Sequence, residues 1–281
     1  MPIVQMKDIL IKANQENYGV GAFSVANMEM VMGAIKAAEE LSSPLILQIA
    51  EVRLNHSPIH MIGPLMVAAA KKATVPVVVH FDHGMTFEKI QETLEIGFSS
   101  VMFDGSHYPL EENIQKTKEI VELAKQYGAT VEAEIGRVGG SEDGSEDIEM
   151  LLTSTTEAKR FAEETGVDVL AVAIGNAHGM YNGDPNLRLD RLQEINEVVH
   201  IPLVLHGGSG ISPEDFKQCI QHGVRKINVA TATFQNVITA VNTAVLNTPY
   251  ADYFTYHQDV IKAAYDNVKS HMQIFGSENR A

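Results

Sequence analysis

Three histidines stand in settings that suit chemistry better than packing. His83 follows Asp82, His178 lies in Asn176-Ala177-His178-Gly179, and His206 opens the run His206-Gly207-Gly208-Ser209-Gly210. Three neutral imidazoles with one open coordination position form a layout used by catalytic zinc, where substrate oxygens complete the shell. Asp82, Asp104 and Glu134 are carboxylates that could serve the same centre. The bland alternative is that some of the 11 histidines fall beside polar turns by chance. His80, inside an apolar run, is expected to be a buried, hydrogen-bonded histidine and not a ligand.

Two further clusters suggest an anion site. Gly207-Gly208-Ser209-Gly210 lets backbone approach a phosphate closely, and Asn228-Val229-Ala230-Thr231 supplies more donors. Successive backbone N–H groups at such turns form anion-binding concavities. The competing reading is that the glycines only shape a tight turn. A metal beside a phosphate pocket suits cleavage of a carbon–carbon bond next to a ketone, because a metal can spread the charge of the enediolate left behind. The other route to that chemistry is a lysine Schiff base. Lys226 is read as beginning a strand, at the wrong rim for this, and Lys71-Lys72 lie in a helical stretch.

The elements that must position these groups are legible as a repeat. Runs rich in β-branched and apolar residues at 20–25, 44–50, 76–82, 100–104, 130–136, 169–175, 202–208 and 226–230 read as strands. Between them, 27–41, 86–96, 110–127, 156–165 and 213–222 carry apolar residues at helical spacing. Strands alternating with helices at roughly 30-residue intervals mean parallel βαβ units. Eight units predict an α/β fold, a (β/α)8 TIM barrel occupying residues 1–281 as one domain, with additional C-terminal helix over 249–275. A doubly wound sheet fits less well, since no Gly-x-Gly-x-x-Gly turn follows the first strand.

Catalytic groups of such barrels come from the C-terminal ends of several strands. The third predicted strand ends in Asp82-His83, the fourth in Asp104 and the fifth at Glu134. The sixth runs into His178, the seventh into His206 and the eighth into Asn228 to Thr231. Polar groups from six consecutive strands are thereby expected at one rim, which chance would not arrange. The long loop 137–153 is either a mobile flap over that rim or a surface excursion.

Composition narrows the partners. Of 281 residues, 45% are hydrophobic and 20% charged, ordinary for a globular chain with a core, and the net charge is −15. Such a field repels phosphates, so nucleic acid and anionic membrane are not expected partners. A phosphorylated small molecule then needs local donors. The single cysteine, Cys219, excludes an internal disulfide framework. With no signal-peptide pattern and no apolar run of spanning length, a cytoplasmic protein is expected.

The motifs His80-Phe81-Asp82-His83-Gly84, Asp104-Gly105-Ser106-His107, Val131-Glu132-Ala133-Glu134-Ile135-Gly136 and Gly139-Gly140-Ser141-Glu142-Asp143 occur in that order. They are followed by 170–179, 202–210, 228–231 and Phe275-Gly276-Ser277. Together they resemble the zinc-dependent, class II ketose-bisphosphate aldolases, over nearly the whole chain, nearest the tagatose-bisphosphate and bacterial fructose-bisphosphate branches. The resemblance implies that His83, His178 and His206 hold a catalytic Zn2+, and that Asp82 handles the proton on the C4 oxygen. It implies that Glu142 moves protons at the enediolate carbon, and that Asp104 and Glu134 hold an alternative or second ion. It places dihydroxyacetone phosphate at Gly179, Gly207, Gly208, Ser209, Asn228, Val229, Ala230 and Thr231, sometimes with a monovalent cation nearby. Association as a homodimer or homotetramer is also implied.

Three positions depart from the family's pattern. Ser24 stands where the first strand commonly carries Asn, Ala50 where the second commonly ends on Ser or Thr, and Ala232 where an acidic residue is frequent. These bear on the aldehyde side of the site, where Arg53 and Arg280 are candidate replacement anion contacts. Two enzyme readings follow: a fructose or tagatose 1,6-bisphosphate aldolase, or a dihydroxyacetone-phosphate-dependent aldolase with another aldehyde partner. A non-catalytic sugar-phosphate-binding subunit is the reading from a different class. It predicts loss of a ligand or proton donor, and Asp82, Glu142 and all three histidines are present.

Overall fold

The computed structural model describes residues 3–140, 149–181, 183, 185–247 and 252–281. The chain opens with α1 (Met6–Glu16), β1 (Val20–Ser24), α2 (Met28–Glu40), β2 (Leu45–Ala50), a 3₁₀ turn (Glu51–Arg53) and α3 (Ile59–Lys72). Next come β3 (Val77–Gly84), α4 (Phe87–Ile96), β4 (Ser100–Phe103), α5 (Leu110–Lys125), β5 (Thr130–Ile135) and α6 (Thr155–Thr165). The remainder is β6 (Val169–Val172), α7 (Leu189–Val198), β7 (Leu203–Leu205), α8 (Pro213–Gln221), β8 (Val224–Val229), α9 (Thr231–Asn247) and α10 (Tyr253–Phe275). The strands are parallel, pair in chain order, and close as β8 meets β1, which is the expected barrel.

Local chemistry sets the helix starts. Asn27, Ser154, Ser212 and Asp252 each accept a hydrogen bond from the backbone N–H three residues on, satisfying a donor the helix cannot. Pro213 then occupies the first turn of α8, where its missing N–H costs nothing.

Alternation along the strands divides their side chains between two cores. Leu45, Leu47, Ile49, Val77, Val79 and Phe81 pack in the layer between barrel and helices. Ile46, Val78, Val169, Ala171 and Val204 join a smaller cluster with Met6, Leu10 and Ala13 of α1. Successive strand residues face opposite sides, so this second set points into the barrel and α1 plugs its N-terminal end. Above the plug the inward positions become polar: Gln48, His80, Glu132 and Lys226, then Asp82, Glu134 and Asn228, all buried. Filling those positions with apolar side chains would contribute about 1.5–3 kcal/mol each. The barrel forgoes that burial, and the polar groups must repay it in hydrogen bonds or chemistry.

One expectation is corrected here. Lys226 does not begin the eighth strand at the far rim. β8 starts at Val224, so Lys226 is its third residue, fully buried and paired across the interior with Glu132. The helices expected at 27–41, 86–96, 110–127, 156–165 and 213–222 correspond to α2, α4, α5, α6 and α8, and 249–275 is helical over Tyr253–Phe275. α1, α3, α7 and α9 were not delimited. α3 contains Pro64, and α9 exposes Ile238, Val245 and Leu246, which blurs its periodicity. α10 lies along α2 so closely that a Cβ on Gly33 would come 2.6 Å from the Ile261 carbonyl oxygen. Among the described residues no helix is long and apolar enough to cross a membrane.

Candidate metal centre and active site

The site begins with a break in β3. Its pairing with β4 shifts register between Phe81 and Gly84, and His83 adopts φ 44°, a left-handed value uncommon for a residue with a side chain. Regular pleating would send Asp82 and His83 to opposite faces. With the irregularity both serve the mouth: Asp82 meets Gln48 and Asn228, and His83 meets Asp104 and His206.

His178 comes from the loop after β6 and is held by neighbouring backbone. Its N–H donates to Gly139 O at 2.8 Å, and Arg137 and Leu151 pair at 2.8 and 2.9 Å to pinch the base of the 137–153 loop. Glu142, the residue expected on that loop, lies outside the described residues, so the choice between flap and excursion rests there too. His206 directly follows β7 and is fully buried. The next residue, Gly207, has φ 65°, and a Cβ there would sit 2.1 Å from the Ala177 carbonyl oxygen, so only glycine fits. Tyr181 ties the same two loops by donating to Gly207 O at 2.9 Å while accepting from Ala177 N at 3.0 Å.

His83, His178 and His206 converge so that one nitrogen of each lies within 4.8 Å of the others. His83 Nδ1 is 2.7 Å from Asp104 Oδ2, and His206 Nε2 is 2.8 Å from Glu132 Oε1. Their remaining nitrogens, His83 Nε2 and His206 Nδ1, face each other at 2.8 Å. If each outer nitrogen donates to its carboxylate, the inner pair turns lone pairs together, an arrangement relieved by a cation between them. Burial, and then the neighbouring His83, hold the His206 pKa well below the ordinary imidazole value, so the ring resists protonation and remains a neutral ligand. The donor set therefore fits a transition metal.

A second carboxylate-containing set shares His83 with Asp104 and Glu134. Glu134 Oε1 accepts from Val138 N at 3.1 Å, whereas Oε2 is buried and has no hydrogen-bond partner among the described residues. Burial and then the Asp104 charge push the Glu134 carboxyl up to about 7. Burial would raise Asp104 as well, but His83 and two donors from Ser106 outweigh it and hold that carboxylate well below its usual range. A third set, His80, Asp82 and Glu132, is closed by the Lys226 ammonium. His80 is the hydrogen-bonded buried histidine expected, 2.8 Å from Ser100 Oγ.

Asp82 is clamped on both oxygens: Gln48 Nε2 donates to one and Asn228 Nδ2 to the other, each at 3.0 Å. The other ends of these amides, Gln48 Oε1 and Asn228 Oδ1, are buried and have no hydrogen-bond partner among the described residues. Both residues line a small pocket with His178, Gly179, Gly207, Ser209, Ala230 and Thr231. Ser209 Oγ accepts from Ala232 N at 2.9 Å, joining the turn after β7 to the start of α9, whose N-terminus opens on the pocket. Of the residues expected at the phosphate site, Gly208 and Val229 do not line this pocket: Val229 is buried in β8, and the Gly208 N–H donates to Asn228 O at 3.0 Å.

The expected aldehyde-side residues separate. Ser24 accepts from Gln48 Nε2 at 3.1 Å, and Ala50 pairs with Asp82 in the sheet, so both adjoin the site. Arg53 lies in the turn beyond β2, its guanidinium 5.6 Å from the Phe234 ring centroid. Arg280 is a correction. It pairs with Glu16 of α1 at 2.8 Å, at the plugged end of the barrel, because the chain after α10 returns there. The sequence reading missed Gln48, Glu132, Lys226 and Tyr181 as site residues. The first three could have been found as polar residues at inward strand positions: Gln48 is in register with His80, two residues before Asp82, and Glu132 and Lys226 lie two residues before Glu134 and Asn228; Tyr181 carries no such signal.

The family model described as fructose-bisphosphate aldolase class-II matches residues 4–280. The chain is 38% identical to fructose-bisphosphate aldolases of Staphylococcus aureus and Staphylococcus epidermidis, each over 290 residues and the full length of both proteins. It also superimposes on the crystal structure of the YdjI aldolase from Escherichia coli K12 with a TM-score of 0.90 and 35% identity, covering 99% of each chain. A match of this extent leaves no part of the barrel outside it, and the chain belongs to the class II fructose-bisphosphate aldolase family.

Proposed function

We propose that the chain is a carbon–carbon lyase that reversibly cleaves a ketose 1,6-bisphosphate, of fructose or tagatose type, into dihydroxyacetone phosphate and an aldehyde. The observation that carries this reading is the convergence of His83, His178 and His206 beside the doubly clamped Asp82 and the glycine-lined pocket. The three histidines would hold zinc, on which class II aldolases generally depend, with Asp104 and Glu134 able to take an alternative or second ion. Zinc there supplies the Lewis acid such a cleavage uses. Backbone donors of Gly179, Gly207 and Ser209, with the N-terminus of α9, hold the phosphate of dihydroxyacetone phosphate, while the Gly208 N–H is taken by the Asn228 carbonyl oxygen. Asp82 takes the C4 hydroxyl proton as the bond breaks and returns it in condensation. Glu142 moves the proton at the enediolate carbon. Residues 1–281 act as one barrel unit in the cytoplasm. The exposed Leu246, Tyr253 and Phe254 support its association into dimers or tetramers.

Ala50 favours a second reading on the aldehyde side. It offers no side-chain donor at the end of β2, and Arg280 lies at the other end of the barrel. A partner aldehyde other than glyceraldehyde 3-phosphate fits these residues. Cleavage of fructose and tagatose 1,6-bisphosphates, with and without chelator, tests both. Chelator-sensitive release of dihydroxyacetone phosphate from either sugar is expected. No release from protein that contains zinc would leave the second reading, to be checked by condensation with a panel of aldehydes.

A further inference from the structure

Beneath the three histidines, Glu132 and Lys226 form an ion pair sealed from water. Both side chains are fully buried, with Lys226 Nζ 2.8 Å from Glu132 Oε2 and 3.1 Å from Oε1. Stability alone is a poor reason for such a pair. Removing both charges from water offsets most of their attraction, and apolar residues of similar volume often do as well or better. Among the described residues the pair has one other close polar contact, the 2.8 Å hydrogen bond from His206 Nε2 to Glu132 Oε1. His80 Nε2 stands farther off, 3.5 Å from Oε2.

The chemistry of the partners fixes the direction of each bond. An ionised carboxylate only accepts and an ammonium only donates. Lys226 therefore braces Glu132, and Glu132 requires hydrogen on Nε2 of His206. That leaves the lone pair of Nδ1, the atom facing His83 Nε2 at 2.8 Å. Asp104 bears the same relation to His83, but it is partly exposed at the mouth and itself a candidate ligand. Glu132 sits below the centre, where Lys226 already occupies it.

We infer that Glu132, braced by Lys226, is a positioning residue that sets the tautomer and ring orientation of His206 for metal binding. This rests on reading His83, His178 and His206 as the metal centre. Partners of ligating histidines influence metal affinity by about 10–100-fold. The decisive variant is Glu132→Met/Lys226→Met, which removes both charges and keeps most of the volume. Its denaturant midpoint should equal or exceed that of the wild type. Its zinc affinity, measured by competition with a chromophoric chelator, should be about 10–100-fold weaker. A merely structural pair would not separate these readouts. Glu132→Gln retains an acceptor for Nε2–H and should show a smaller loss. Wild-type zinc affinity in the double variant overturns the inference. If that variant does not fold, wild-type affinity in Glu132→Gln overturns it equally. A wild-type chain that fails to bind zinc would instead remove the metal-centre reading beneath it.

Discussion

Asp82 and His83 are neighbours in the chain with separate duties, and the irregular end of β3 makes that division possible. Asp82 accepts from the amides of Gln48 and Asn228, while His83 faces His206 and Asp104. Asp82→Ala is therefore expected to retain zinc nearly fully while cleavage slows by about 10²–10⁴-fold, the usual worth of a positioned acid–base group. Metal analysis beside steady-state cleavage checks this. Fast turnover in the variant would make Asp82 a scaffold for Gln48 and Asn228. Among these residues, Asp82 and the histidines were legible because their types are unusual at strand ends. Gln48 was not, because an amide within an apolar strand reads as a polar interruption until its contacts with Ser24 and Asp82 are known.

At the scale of elements, two close approaches hold the barrel's shape. The turn after β7 passes the His178 loop at Gly207, and α10 passes α2 at Gly33. The second can be tested away from the chemistry. Alanine favours a helix over glycine by about 1 kcal/mol, yet a Cβ at Gly33 would lie 2.6 Å from the Ile261 carbonyl oxygen. Overpacking costs about 1–3 kcal/mol, so Gly33→Ala should lower stability despite its better helix propensity. Denaturant unfolding decides: a midpoint at or above that of the wild type would mean the α2–α10 contact relaxes freely. The helical spacing of apolar residues over 27–41 was readable from sequence. This interhelical contact was not, since Gly33 and Ile261 are distant in the chain.

For the whole molecule, buried imidazoles make stability depend on pH. Burial, and then Lys226 for His80 and His83 for His206, hold those two rings well below the ordinary imidazole pKa; burial lowers His271 too. In the unfolded chain each protonates near pH 6.5, so below that pH the unfolded state binds more protons than the native one. Glu134 acts oppositely. Raised to about 7, it gives the native state one extra proton between roughly pH 4.3 and 7. Three histidines against one carboxyl leave a net excess in the unfolded state. Metal-free protein should lose stability as pH falls below about 6.5, by on the order of 1.4 kcal/mol per pH unit for each extra proton the unfolded state holds. Urea unfolding at pH 7, 6 and 5 measures it, and an unchanged midpoint would show that these rings protonate freely in the native state.

The eight-fold alternation of strand and helix, the strand ends that carry polar residues, and the types of those residues are all legible along the chain. Local periodicity and strand-end position carry that information, and each is written within a short stretch of chain. Only the tertiary structure decided which polar groups meet. Glu132 and Lys226 lie 94 residues apart and join inside the barrel. Gln48 and Asn228 reach Asp82 from different strands, while Arg280 is drawn to the plugged end by the return of the chain after α10. Closing the barrel sets those distances, through registers between strands that no local stretch of sequence encodes.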